Sequence, residues 1–262
     1  MNTPSLRQRI EEANSEGRMA RIPFLTAGFP EPSRFPALLR ELDENGADII
    51  EIGVPFSDPV ADGPVVEEAS RRALEAGVTL PWILESLRRV SPRLKAGLVL
   101  MGYYNPFLQH GLRSLAEQSA KAGVQGFIVP DLPLGEDKEL RDVLEDKGLD
   151  LIALVGPNTD AARMAAYAEK ARGYVYVVSV MGTTGARTAL PPEAEATLER
   201  ARGVFSLPVA LGFGLTDPGQ LAWLKNPPHA VVFGSALLRH LDEGKTAGAF
   251  MAPWLGATKR PQ

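Results

Sequence analysis

The sequence predicts an α/β fold: a closed (β/α)8 TIM barrel forming one domain over residues 1–262, with extra N- and C-terminal helices. Three observations predict it. Helical patterns end in glycine and pass at once into short β-rich runs, as in NGADIIEIGVP, AGVQGFIVPDLP, KGLDLIALVGP and ARGYVYVVSV, and Gly123, Gly148 and Gly173 fall 25 residues apart. Glycine suits the residue that closes a helix before the chain enters a strand. Eight strand-like runs alternate with helical patterns along the chain, which means a parallel sheet. Eight such units in about 240 residues fit a closed barrel better than an open doubly wound sheet, where fewer strands or a longer chain is expected.

Taken in order, residues 4–15 form an extra helix ahead of the barrel, and RIPFLTA (21–27) is the first apolar run and the first strand. ADIIEIG (47–53) enters from Asn45-Gly46, and KAGLVLM (95–101) follows a long helical region. QGFIV (125–129), DLIALVG (150–156) and YVYVVSV (174–180) each follow one of the evenly spaced glycines. LPVALGF (207–213) and HAVVFGS (229–235) complete the set, and residues 246–257 form the closing extra helix. No linker, low-complexity tract or second domain interrupts this series.

Composition excludes several functions. The 262 residues are 45% hydrophobic, enough for a large core. Net charge is −4, from 28 basic and 32 acidic residues mixed along the chain, so nothing points to nucleic acid or an anionic membrane surface. No apolar run approaches the roughly 18 residues of a membrane span, and the polar start MNTPSLRQRIEEANSEGR is unlike a secretion signal, so a cytoplasmic location is expected. The absence of cysteine removes disulfides, thiolate nucleophiles and cysteine-ligated metals.

In such barrels chemistry lives in the loops at the C-terminal ends of the strands. On the second strand, Ile50, Ile52 and Val54 share one face and suit packing against helices, while Ile49, Glu51 and Gly53 share the other and face the lumen. Burial raises a carboxylate's pKa, so Glu51 is either a structural group bonded to a neighbour or a group poised to exchange protons. In the following loop, PFSDPVADGP, Asp58 reads best as turn chemistry. Asp62 differs because the loop is long for a strand-to-helix connection, and long barrel loops tend to be functional.

A second signal is glycine at three successive strand ends: MGTTGAR (181–187), GFGLTDP (212–218) and FGSALL (233–238). Amides freed of side chains, next to a helix N-terminus, suit a phosphate, and barrels place that cradle after strands seven and eight. Each pair alone could be an ordinary turn. No lysine falls at a strand's C-terminal end, which disfavours a Schiff base; His110 falls on a helix or its approach, His229 starts the eighth strand at the wrong face and His240 lies on the last barrel helix, so no metal site built from them is expected. Acid–base work by carboxylates on a small phosphate ester remains.

The runs RIPFLTAGFP, EIGVPFSDPVADGP, VPDLP, MGTTGAR, GFG and GSA together resemble the tryptophan synthase alpha chain family, nearly end to end. The resemblance implies retro-aldol cleavage of indole-3-glycerol phosphate to indole and glyceraldehyde 3-phosphate, with indole passed to a beta subunit in an alpha2beta2 assembly. It implies no cofactor in this chain and pyridoxal phosphate in the partner. It makes Glu51 the acid/base and Asp62 the carboxylate at the indole nitrogen. Phe24, Met101, Tyr103, Ile128, Tyr176 and Phe213 would line the indole slot, Thr184 would close over substrate toward Asp62, and phosphate would rest on Gly185, Gly214, Gly234 and Ser235. For Ile128 and Met101 plain barrel core is the competing reading. A non-catalytic phosphate-binding barrel acting as a regulatory subunit is the rival for the whole chain. Departures from the family pattern are Glu67 and Glu68 after the second loop, and Thr183 in the sixth, none of which is expected to touch a catalytic group. Gly234→Asp is expected to weaken phosphate binding while the fold survives, since it crowds and repels an anion.

Overall fold

The computed structural model describes residues 3–178, 192–212, 214–224 and 226–259. Nine parallel strands form one sheet: β1 (Ala20–Thr26), β2 (Ile49–Gly53), β3 (Gly97–Met101), β4 (Gly126–Ile128), β5 (Asp150–Leu151), β6 (Ala153–Val155), β7 (Val175–Val178), β8 (Val209–Gly212) and β9 (Ala230–Phe233). Their spatial order is β5-β4-β3-β2-β1-β9-β8-β7-β6. The α-helices around them are α1 (Leu6–Ser15), α2 (Phe35–Glu44), α3 (Pro64–Glu75), α4 (Leu80–Val90), α5 (Tyr104–His110), α6 (Leu112–Lys121), α7 (Lys138–Glu145), α8 (Ala161–Ala168), α9 (Pro192–Val204), α10 (Ser235–Asp242) and α11 (Ala247–Ala257).

The expected fifth strand, DLIALVG, is broken in two. β5 pairs with β4 and β6 with β7, while between them the Ile152 N–H donates to Phe127 O at 2.9 Å. A closed sheet is sheared, so a short strand meets one neighbour with its first residues and the other with its last. The barrel therefore closes through residues 150–155, and the eight expected strands become nine ladder segments. After β8 the chain forms a 3-10 helix, Pro218–Trp223, where an α-helix is usual. Asp217 caps it, accepting from Gly219 N–H at 2.7 Å, and the Gln220 carbonyl accepts from the Thr216 and Asp217 N–H groups at 2.8 and 3.0 Å.

The glycines read as helix ends all take the left-handed conformation: φ is 87° at Gly46, 79° at Gly123, 68° at Gly148 and 72° at Gly173. At the N-terminal end of the barrel, α1 begins with a reciprocal cap in which Gln8 N–H donates to Ser5 Oγ and Ser5 N–H to Gln8 Oε1. Its fully buried Leu6 sits so close to the starts of β3 and β4 that a Cβ on Gly97 or Gly126 would come within 2.8 Å of it. With that end plugged, the C-terminal ends of the strands form the mouth.

Strand register fixes what faces the mouth. Phe24, Glu51 and Val99 are in register across β1, β2 and β3, and Gly53, Met101 and Ile128 across β2, β3 and β4, so each set shares the lumen face. Phe233 faces outward and stacks on Trp254 of α11, ring centroids 4.3 Å apart. This stack anchors the end of β9 immediately before Gly234. Trp254→Ala is expected to lower stability by about 3–5 kcal/mol, the usual loss on truncating a buried aromatic; the shift in the denaturant midpoint at unchanged slope measures it.

Candidate active site

A cleft opens at the mouth, walled by Phe24, Glu51, Asp62, Met101 and Tyr176 and ended by Gly214, Gly234 and Ser235. Two carboxyl groups thus reach one cavity from different elements, Glu51 from the floor of β2 and Asp62 from the loop that follows it.

Glu51 is fully buried, because β2 presents it to the lumen. Its Oε1 accepts a hydrogen bond from the Tyr174 hydroxyl at 2.7 Å, and Oε2 has no partner among the described residues. Burial pushes its pKa up to about 8, against the downward pull of the Tyr174 bond. The group is therefore largely protonated at neutral pH and can donate. Tyr174 is itself pushed well up, first by burial and then by the Glu51 charge.

Asp62 stands just ahead of α3, whose start is set by Gly63 at the N-cap and Pro64 in the first turn. The Tyr103 hydroxyl accepts from Ala61 N–H at 2.9 Å and bonds the Asp62 carboxylate, so one phenol aims both the loop and its acid. Asp62 is pushed up to about 6, mainly by burial, with the Glu67 charge adding to it and Tyr103 opposing. At neutral pH it is mostly ionised. Glu67 thus bears on Asp62 through its charge. Glu68 is bonded to Arg71 on the exposed side of α3, and Asp58 is exposed and accepts from the Ser57 hydroxyl.

The aromatic walls depend on missing side chains. A Cβ on Gly53 would lie 2.5 Å from Phe24 Cζ and one on Gly234 would lie 2.9 Å from Phe24 Cδ1, so the Phe24 ring is held between them. A Cβ on Gly212 would collide with the Tyr176 hydroxyl. Gly234→Asp would consequently crowd the Phe24 ring as well as repel an anion.

The tryptophan synthase alpha chain profile matches residues 10–252. A tryptophan synthase alpha chain of Nitratidesulfovibrio vulgaris (strain DP4) is 62% identical over 97% of this chain and 99% of its own length. The chain belongs to the tryptophan synthase alpha chain family. Another alpha chain, from Desulfovibrio desulfuricans, is 62% identical over 95% of this chain and 98% of its own. Among solved structures, a Mycobacterium tuberculosis tryptophan synthase superposes with a TM-score of 0.91 at 33% identity, covering 99% of this chain and 100% of that one. The Legionella pneumophila tryptophan synthase alpha chain gives 0.86 at 30% identity, covering 98% and 97%. The chain is an alpha subunit of the tryptophan synthase type, a carbon–carbon lyase acting on indole-3-glycerol phosphate.

Within this alpha-chain barrel, the cleft gathers eight of the residues singled out in the sequence: Phe24, Glu51, Asp62, Met101, Tyr176, Gly214, Gly234 and Ser235. Tyr103 stands behind Asp62, buried, rather than on the wall. Ile128 is fully buried and lines no part of the cleft, since β4 lies one strand beyond the arc from β3 to β7 that forms it. Thr183, Thr184, Gly185 and Phe213 lie outside the described residues. His229 receives the Val209 N–H at 3.0 Å before β9 begins, and His240 Nε2 lies 3.0 Å from Thr246 O, both away from the cleft. Sequence reasoning missed Tyr174 and Arg239. Tyr174 was signalled by its spacing of two from Tyr176, which puts both on one strand face, and Arg239 by its spacing of four from Ser235 on α10.

Tyr174→Phe should raise the pKa of Glu51 further, because the lost bond favours the ionised form. Activity that needs protonated Glu51 fails as pH rises through about 8 in the parent chain. In the variant this alkaline limb should move to higher pH while the acid limb set by Asp62 stays; a pH profile of indole release reads both, and an unmoved alkaline limb would exclude Tyr174 as the tuning group.

Proposed function

We propose that the chain acts as one barrel domain in which Glu51 is the proton carrier and Asp62 the charge-stabilising carboxylate of indole-3-glycerol phosphate cleavage. The observation that carries this is the pairing, in one cleft, of a carboxyl pushed up to about 8 and a second near 6. Two carboxyl groups whose environments separate their pKa values divide acid and base roles between them.

Indole is a poor leaving group as a carbanion, so its C3 must be protonated before the bond to the glycerol chain breaks. Protonated Glu51 donates to C3, and positive charge develops at the ring nitrogen. Ionised Asp62 stabilises that charge, or accepts the N–H proton and returns it to the ring nitrogen as the carbon–carbon bond breaks. The carboxylate left on Glu51 then takes the proton of the glycerol hydroxyl as the carbon–carbon bond breaks and the aldehyde forms, which returns Glu51 to its starting state. Phe24, Met101 and Tyr176 offer the apolar surface for the ring, and the amides of Gly214, Gly234 and Ser235 offer donors for phosphate at the start of α10. A purely regulatory phosphate-binding barrel would have no use for a buried carboxyl with one unpartnered oxygen facing the ligand cleft.

Family membership implies a beta-subunit partner. The assembly we favour is alpha2beta2, with pyridoxal phosphate confined to the beta subunit, indole passing to it, and the complex in the cytoplasm. Among the described residues no helix is long and apolar enough to cross a membrane. The loop carrying Asp62 exposes Val60 at 85%, an apolar side chain left at the mouth, where a partner would both cover it and retain an apolar product.

Glu51→Gln should lower turnover by about 10² to 10⁴, the usual contribution of a general acid–base group, with glycerol phosphate still bound. Near-normal indole release from the variant would remove Glu51 from this role. Coupling between the cleft and the partner surface should be reciprocal, typically about 1–3 kcal/mol. A glycerol phosphate analogue should therefore tighten partner binding several-fold, measured by titration calorimetry with and without analogue; equal affinities would exclude the coupling.

A further inference from the structure

We propose that Arg239 is the cation that neutralises the substrate's phosphate, reaching along the flank of α10 to the cradle at the helix start. This rests on the reading of the cleft as the site for indole-3-glycerol phosphate. Arg239 lines the same cavity as Gly214, Gly234 and Ser235. It lies four residues after Ser235, on the same side of α10, and helical side chains lean toward the N-terminus. The climb is about 6 Å, within the reach of an arginine side chain.

What distinguishes Arg239 is that its charge is uncommitted. Among the described residues its guanidinium makes no hydrogen bond or ion pair, whereas the cations around it are taken: Arg72 by Asp242 and the Phe29 ring, Arg71 by Glu68 and Glu75, Lys245 by Glu243. The two carboxylates at its own end of the helix, Asp242 and Glu243, are paired with Arg72 and Lys245, and Arg239 acts on Glu243 only through its charge, without an ion pair. Arginine on a cavity wall without a counter-ion faces a cleft that already holds the Asp62 carboxylate. A phosphate dianion added to that cleft needs a compensating charge that backbone amides and a helix dipole supply only in part. Arginine's planar fork suits a phosphate better than any other side chain.

The test uses the full chain with two variants. Arg239→Gln should weaken inorganic phosphate and glycerol phosphate binding about tenfold to a hundredfold, the range for a hydrogen bond to a charged group. KM for indole-3-glycerol phosphate should rise by a similar factor with kcat nearly unchanged, the signature of lost uniform binding. Arg239→Lys should recover part of the affinity because it restores the charge without the fork, and binding of indole, which lacks phosphate, should not move. Unchanged phosphate affinity in Arg239→Gln would overturn the proposal, as would a fall in kcat with KM and phosphate binding intact. The two readings fail separately: a parent chain that binds phosphate but releases no indole would refute the reaction, while the phosphate titration of Arg239→Gln would still decide for this residue.

Discussion

Taking a carboxyl group wholly out of water is the constraint around which this barrel is arranged. Glu51 has no exposed surface, and among the described residues its only partner is a phenol that is itself neutral. An isolated buried carboxylate is strongly disfavoured, so the group keeps its proton to about pH 8 and is ready to give it up only when something in the cleft accepts it. The rest of the site complements that state. The plugged N-terminal end excludes water from below, the apolar walls exclude it from the sides, and the hydroxyl of Tyr174 limits how far the pKa climbs. Asp62, on the loop and closer to solvent, is free to hold the opposite charge state, and Tyr103 supports its ionised form with a hydrogen bond.

The apolar walls and the glycine-rich end of the cleft are a single packing problem. Phe24 lies in register with Glu51 and fills the space that side chains at Gly53 and Gly234 would take. The glycine at the start of α10 therefore serves the ring slot as much as any anion. Behind it, Phe233 is stacked on Trp254 of the C-terminal helix, so an element outside the eight repeats supports the glycine-rich end of the cleft. Glycine at strand ends in this barrel is a record of close packing.

Much of this was legible in the sequence. Glycine-terminated helices announced the strands that follow them, and the alternation of IIEIG put Glu51 in the lumen because a strand's side chains change face at every residue. The oddness of PFSDPVADGP marked Asp62. Other features were not legible, for physical reasons. The break at Ile152 arises from barrel shear, a property of neighbours and not of DLIALVG itself. After β8 a 3-10 turn capped by Asp217 and Gln220 stands where the alternation of strands and helices leads one to expect an α-helix. Ile128 has the same chemistry as a wall residue and misses the cleft only because of where β4 falls around the ring. The bond from Tyr174 crosses the barrel over 123 positions of sequence, and the free charge of Arg239 is apparent only after every neighbouring ion pair has been assigned.

The central claim is that burial holds Glu51 protonated at neutral pH, and the most direct measurement is titration of its side-chain carbonyl carbon by ¹³C NMR in glutamate-labelled protein, with Glu51→Gln identifying the resonance. A midpoint of about 8 is the result this account requires. A midpoint close to 4.5, the value of an ordinary glutamate, would contradict it, since Glu51 would then be ionised throughout the neutral range and could not act first as an acid.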